Sequence, residues 1–242
     1  LVRLRSEAPL VLRPAPGPVV HLVGGAAGPL GGDTLALDIV VGPRAHLVVR
    51  GVAATLALPG AGGEPARLSV RATIGPGACL DWAPEPTIVA HRARLELDTE
   101  IEVESPSAGT LLRWCEELVL GRSGETPGQV TARTRAVVAG RPVLDHATTA
   151  GGPPGPWDGP GGLAGHRWLG TALYVGGSAA RAPATPPAGP DASSAGDGVG
   201  APRAGPQVRA ATLCIADGSW LSAATAVDRH AGLTAWARPP VA

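Results

Sequence analysis

Two acidic arrangements in this chain are best placed to do chemistry. Glu96, Asp98, Glu100, Glu102 and Glu104 alternate with Leu95, Leu97, Thr99, Ile101 and Val103. Side chains of an extended strand alternate between faces, so the five acids share one face at spacings of roughly 6.5–7 Å. Carboxylates are hard oxygen donors for divalent ions, and such a row is suited to a cation in transit or to a basic partner. A single strand cannot converge its side chains on one ion, so no tight site is expected from it. The simpler reading is a half-solvated strand whose acids face Arg133 and Arg135 of a neighbouring unit. The second arrangement is a lone acid ending a shaped turn, Gly28-Pro29-Leu30-Gly31-Gly32-Asp33. Glycine and proline set the backbone there, and Asp33 either satisfies turn amides or is held for recognition.

Other chemistries lack their residues. No GxxxxGK[ST] phosphate loop exists, because all twenty basic residues are arginine. No GxSxG elbow is present. The histidines His21, His46, His91, His146, His166 and His230 form no HxH, HExxH or HxxxH pattern. The three cysteines Cys79, Cys115 and Cys214 form no CxxC pair, and their odd number argues for a reduced compartment over a disulfide framework. Cys79 and Cys115 read as small buried hydrophobes. Trp82-Ala83-Pro84-Glu85-Pro86-Thr87 is a second shaped turn carrying one acid, Glu85. Glu116-Glu117-Leu118-Val119-Leu120-Gly121-Arg122-Ser123-Gly124-Glu125 reads as a strand running into a loop with exposed charges.

The elements that position these residues repeat. Leu35–Val41, Leu68–Ile74, Leu95–Val103 and Val130–Val138 are alternating apolar runs. Each is followed by a proline-containing turn and a second strand: His46–Val49, Cys79–Trp82, Thr110–Trp114 and Val143–His146. Gly42, Gly75, Ser105 and Gly140 mark the turns, 33, 30 and 35 residues apart. A period in this range means stacked supersecondary units, since one unit cannot bury its apolar face alone. The expected fold is mainly β: stacked β-hairpins forming a layered or spiral scaffold, with one or two short helices. Leu111–Leu120 is ambiguous, and the repeat register favours a strand. Trp168–Val175 is a further strand, and Val208–Ile215 with Trp220–Ala224 a final hairpin. Asp228–Trp236 reads as a short helix.

At 242 residues, with Gly (35) and Pro (26) near a quarter of the chain, a turn-rich β fold is expected. We read residues 1–242 as a single domain with a disordered insertion at 176–207, a stretch of Ala, Gly, Pro and Ser with little to bury. A formal net charge of zero argues against nucleic acid or an anionic membrane as partner, and no run of 18 apolar residues occurs.

Taken in order, these motifs resemble the urease accessory protein family UreD, also called UreH, of actinobacterial type. The resemblance rests on Gly28–Asp33 before a strand, Trp82–Ile88, Gly121-Arg122 with Gly124-Glu125, Gly140-Arg141-Pro142 and Leu163–Tyr174. It implies a cytoplasmic, non-enzymatic chaperone for nickel insertion into apo-urease. Its implied partners are the urease apoprotein, the helical protein UreF and, through UreF, the GTPase UreG. No permanent cofactor is implied; a nickel ion passes through in transit. Asp33, Glu85, Glu96, Asp98 and Glu100 are the candidates for that path, and Arg122 and Glu125 for partner binding. The residues alone leave open a β-solenoid docking module without metal, or a metal-dependent hydrolase built on scattered histidines.

Overall fold

A computed structural model of the chain describes residues 3–107, 109–176, 208–216 and 219–226. Its strands in chain order are Leu10–Pro14 (β1), Val19–Gly24 (β2), Thr34–Val41 (β3), His46–Gly51 (β4), Thr55–Ala57 (β5), Ala66–Ile74 (β6), Cys79–Ala83 (β7) and Thr87–Val89 (β8). They continue with Arg94–Val103 (β9), Leu111–Leu120 (β10), Gln129–Val138 (β11), Arg141–Gly151 (β12), Trp168–Gly176 (β13), Val208–Ala216 (β14) and Ser219–Ala226 (β15). The mainly β expectation stands. Among the described residues the helical element is one 3-10 turn, Pro156–Asp158. The helix expected at Asp228–Trp236 lies outside the described residues, as does the 176–207 stretch apart from Gly176.

The repeats stack as coils between two sheets. One sheet runs β12-β11-β9-β6-β3, and the other β1-β2-β4-β7-β10-β13-β15-β14, with β5 and β8 attached through β10. In the first three units the two strands belong to opposite sheets; β3, β6, β9 and β11 pair in parallel in one, and β4, β7 and β10 in the other. The proline turns there are corners between layers. The fourth unit is a hydrogen-bonded hairpin, β11–β12, and β14–β15 is another.

The corners follow from their residues. Gly42-Pro43-Arg44-Ala45 and Gly75-Pro76-Gly77-Ala78 each close with a bond from the alanine N–H to the first glycine's carbonyl, at 3.0 and 3.1 Å. Proline supplies the second position, and the third is left-handed, at φ +67° for Gly77 and +55° for Arg44. Only the second corner carries the residue that geometry favours.

Alternate residues of facing strands fill the interior: Val70, Ile74, Leu95, Ile101 and Val103 against Val49, Leu80, Trp82, Leu112, Trp114 and Leu173. With no phenylalanine or methionine in the chain, the large pieces are the tryptophans. Trp82 and Trp114 stack with centroids 4.7 Å apart and planes 12° apart.

The outer face of the smaller sheet is a ladder of alternating charge. Asp38, Arg71, Glu100, Arg135 and Asp145 occupy one row across its five strands. Arg71 meets Glu100 at 3.1 Å, Arg135 meets Asp98 at 2.9 Å and Glu100 at 2.5 Å, and Arg67 meets Glu96 at 2.9 Å. The arginine expectation holds for Arg135, whereas Arg133 turns to Asp145 at 2.6 Å. Exposed pairs of this kind contribute little each. In-register alternation still disfavours a shift by one coil, which would bring like charges together.

Candidate functional site

Breaks in two strands open the interior. The β7 ladder against β10 ends at Trp82↔Trp114, and the β8 ladder resumes at Thr87↔Leu118. Pro84 and Pro86 lie between, and proline has no N–H to offer a ladder. The neighbouring coil breaks likewise between β4 and β5. β10 runs straight past the gap, so Cys115, Glu116 and Glu117 lie beside it.

Glu116 takes an inward slot in the series Leu112, Trp114, Glu116, Leu118, Leu120. It lines a cavity of about 50 Å³ that Leu10, Leu22, Leu37, Trp82 and Glu85 also line. Thr99 on β9, fully buried, donates its Oγ1 hydrogen to Glu116 Oε1 at 2.9 Å. Thr134 on β11 is the register partner of Thr99 and also supports the carboxylate. The Trp114 indole lies close by without meeting hydrogen-bond geometry, and Trp82 Nε1 is buried without a protein acceptor. Burial pushes the Glu116 carboxyl above its ordinary value of 4.5, and the Thr99, Trp114 and Thr134 groups draw it partly back. The hollow is lined mainly by apolar side chains, and the Glu116 and Glu85 carboxylates are the oxygen donors it could offer a cation in passage.

The neighbours of Glu116 on β10 face the other way. The buried Glu117 accepts a hydrogen bond from Trp168 Nε1 at 3.1 Å. Arg113 forks onto the buried Asp81, with Nε to Oδ1 at 2.7 Å and Nη2 to Oδ2 at 2.8 Å. Arg50 adds bonds to the same carboxylate at 3.1 and 2.5 Å. Glu116 and Glu117 both lie within β10, the strand favoured over Leu111–Leu120.

The structure sorts the expected site residues into three places. Glu85 lines the cavity with Glu116. Glu96, Asp98 and Glu100 lie on the opposite face of the smaller sheet, which meets the cavity through Leu37, Leu68, Val70 and Leu97. Their carboxylates are engaged by Arg67, Arg71 and Arg135, and Arg135 foremost holds Glu100 below its usual range. Asp33 is a turn acid: its Oδ2 accepts the Leu30 N–H at 2.8 Å, and its own N–H returns to Leu30 O at 2.9 Å.

Arg122 and Glu125 bind each other. The Arg122 Nε and Nη2 groups donate to Glu125 Oε1, the former at 2.8 Å, and the Arg122 amide donates to Oε2 at 2.9 Å. The His91 amide reaches the same Oε2 at 3.3 Å. The Arg122 side chain foremost lowers Glu125 to about 2. A depressed acid supports the folded loop above its unfolded value and loses that support as pH falls toward the folded one. Glu125→Gln is therefore expected to speed exchange of the Arg122 amide at neutral pH, with the gap from native closing between pH 4.5 and about 2. Hydrogen exchange read by mass spectrometry checks this.

Cys115 is buried as expected, while Cys79 is half-exposed. Among the described residues no three His, Cys, Asp or Glu side chains are grouped to hold a metal ion. Among them, too, no helix is long and apolar enough to cross a membrane. Sequence reasoning missed Glu116 as an interior residue. The signal was a carboxylate at an apolar slot of a period-two strand between Trp114 and Leu118.

Comparison with known proteins agrees with this architecture of motifs. The family model described as UreD urease accessory protein matches residues 1–236. A protein named urease accessory protein UreD from Parafrankia sp. (strain EAN1pec) is 40% identical over 238 residues, covering 88% of this chain and 77% of its own. Its namesake in Frankia alni is 42% identical over 239 residues, covering 85% and 79%. UreD 3 of Streptomyces griseus is 43% identical over 180 residues, covering 71% and 69%. With the match spanning nearly the whole chain and these relatives at 40% and 42% identity, the chain belongs to the UreD family of urease accessory proteins.

Proposed function

We propose that this chain is a non-enzymatic cytoplasmic chaperone that guides nickel toward apo-urease between its two sheets, docking with UreF and, through it, UreG. The reading is supported above all by the placing of Glu85 and Glu116 on one interior cavity, while the acids of the outer face are held in ion pairs. A relay needs weak contacts, because a tight site would retain its ion. One carboxylate with hydroxyl neighbours is such a contact, and nickel would meet it as cargo. Hydrolysis of GTP falls to the partner, in keeping with a chain that has no lysine for a phosphate loop.

The experiment compares two acids of different placement. Urease is co-expressed with its accessory proteins at limiting nickel, and nickel per urease is measured by elemental analysis. Glu85→Gln removes a charge at the half-exposed end of the cavity, where a contact with a cation is worth about 1 kcal/mol, so delivery falls roughly fivefold. Glu96→Gln, on the outer face, leaves delivery unchanged. Equal delivery by both variants would favour a docking scaffold through which no metal passes.

A further inference from the structure

We propose that the Arg50–Asp81–Arg113 cluster is a register lock that sets which residues of β10 face the interior. The proposal rests on the reading of Glu116 as an interior contact, but its own test does not. A hairpin turn fixes the register of the strands it joins. β4, β7 and β10 have no such aid, since each is separated from the next by a passage through the other sheet. They are parallel neighbours whose offset is left to side chains and to the corners that tie β4 and β7 to β3 and β6. The stakes are large, because a slip of one residue exchanges the two faces of a strand. On β10 it would turn Glu116 outward and carry Arg113 and Glu117 into the apolar interior.

Asp81 and Arg113 are directly opposed across β7 and β10, 4% and 8% exposed. Their forked geometry is satisfied at one offset only. Arg50 reaches the same carboxylate from β4 and also bonds the Asp81 carbonyl at 3.1 Å, so three strands are tied at one point. On the other face of the same two strands, one residue further along, Trp82 and Trp114 stack. Stacked rings tolerate sliding, whereas a buried fork leaves charges unpaired when it shifts. A buried ion pair is a weak source of net stability, and setting register is its best-attested use.

Register is read directly by a short thiol cross-linker. Leu111 is the register partner of Cys79, and both are half-exposed. In full-length protein carrying Cys214→Ser, Leu111→Cys places a second thiol beside Cys79, and dibromobimane fluoresces once both of its arms have reacted. The lock predicts rapid bridging in this background. It predicts bridging slowed by about fivefold or more when Arg50→Met, Asp81→Leu and Arg113→Met are added together, although this apolar variant melts no lower than the parent. Asp81→Asn with Arg113→Gln, which stays polar but is too short to form the fork, serves if the apolar variant is insoluble and is expected to slow bridging likewise. Unchanged bridging in a soluble variant overturns the lock. Slowed bridging with unimpaired nickel delivery upholds it and counts against the interior route instead.

Discussion

Glu116→Gln is expected to lower nickel delivered per urease about tenfold or more, while leaving the chaperone at least as stable as the native protein at neutral pH. The first half follows from where the charge sits. At an effective dielectric constant of ~20 a carboxylate about 4 Å from a cation contributes up to about 4 kcal/mol, several times its value in open water. Glutamine keeps the oxygen that accepts from Thr99 and removes the charge, so the hollow keeps its shape. The second half follows from burial. An acid whose folded value is raised contributes most at low pH, and its contribution falls as pH rises above the unfolded value of 4.5. Glutamine has no such loss, so the two melting curves coincide in acid and separate above that value, with the variant higher. Elemental analysis of urease and a thermal melt series from pH 4 to pH 8, about one pH unit per step, check both halves. A variant that delivered nickel normally would remove Glu116 from the route; one that melted lower throughout would make it a structural residue.

The second large effect concerns the turn that carries Asp33. Gly60→Ala is expected to destabilise the protein by about 3 kcal/mol or more, near the upper end for overpacking. A Cβ at Gly60 would sit 2.0 Å from Gly31 O and 2.6 Å from Gly31 C, both backbone atoms. The reverse change at Gly31 would bring its Cβ to 2.5 Å from Gly60 N and 2.6 Å from Glu64 O. Neither loop can yield, because Gly31 N–H and Leu58 N–H bond across the contact to Leu58 O and Pro29 O, at 3.0 and 2.9 Å. Chemical denaturation measures the loss. Asp33→Ala serves as the comparison: it removes one turn bond and is expected to cost about 1 kcal/mol. Equal losses would mean that the acid, and not the glycine contact, holds the turn.

These two cases mark how far the residues could be read. Gly28–Asp33 was legible as a shaped turn, because glycine and proline act on their own backbone. That its glycines make room for a second loop, residues 58–60, was not legible, since nothing in one loop names the other. Glu85 was legible as the acid of a bend, and its place on the cavity followed from Pro84 and Pro86 ending β7. The alternating acids of β9 were legible as one face. Which face was core followed from Leu95, Leu97, Ile101 and Val103, and the ion pairs with Arg67 and Arg71 came from the preceding coil.

The strands, their proline corners and a period of 30 to 35 residues could be read from the residues alone, for these depend on neighbours in the chain. The sequence determined the family as well, through motifs whose order survives without a structure. Packing in three dimensions decided that the first three units split between two sheets, with β3, β6 and β9 parallel in one and β4, β7 and β10 parallel in the other. That choice depends on burying two apolar faces against each other, which no single unit can express. It also decided that Glu116 faces the space between the sheets while Glu117, also buried, meets Trp168 on the other face of β10. Their identical side chains differ only in the parity of their positions on β10, and parity acquires meaning once a parallel neighbour sets the register.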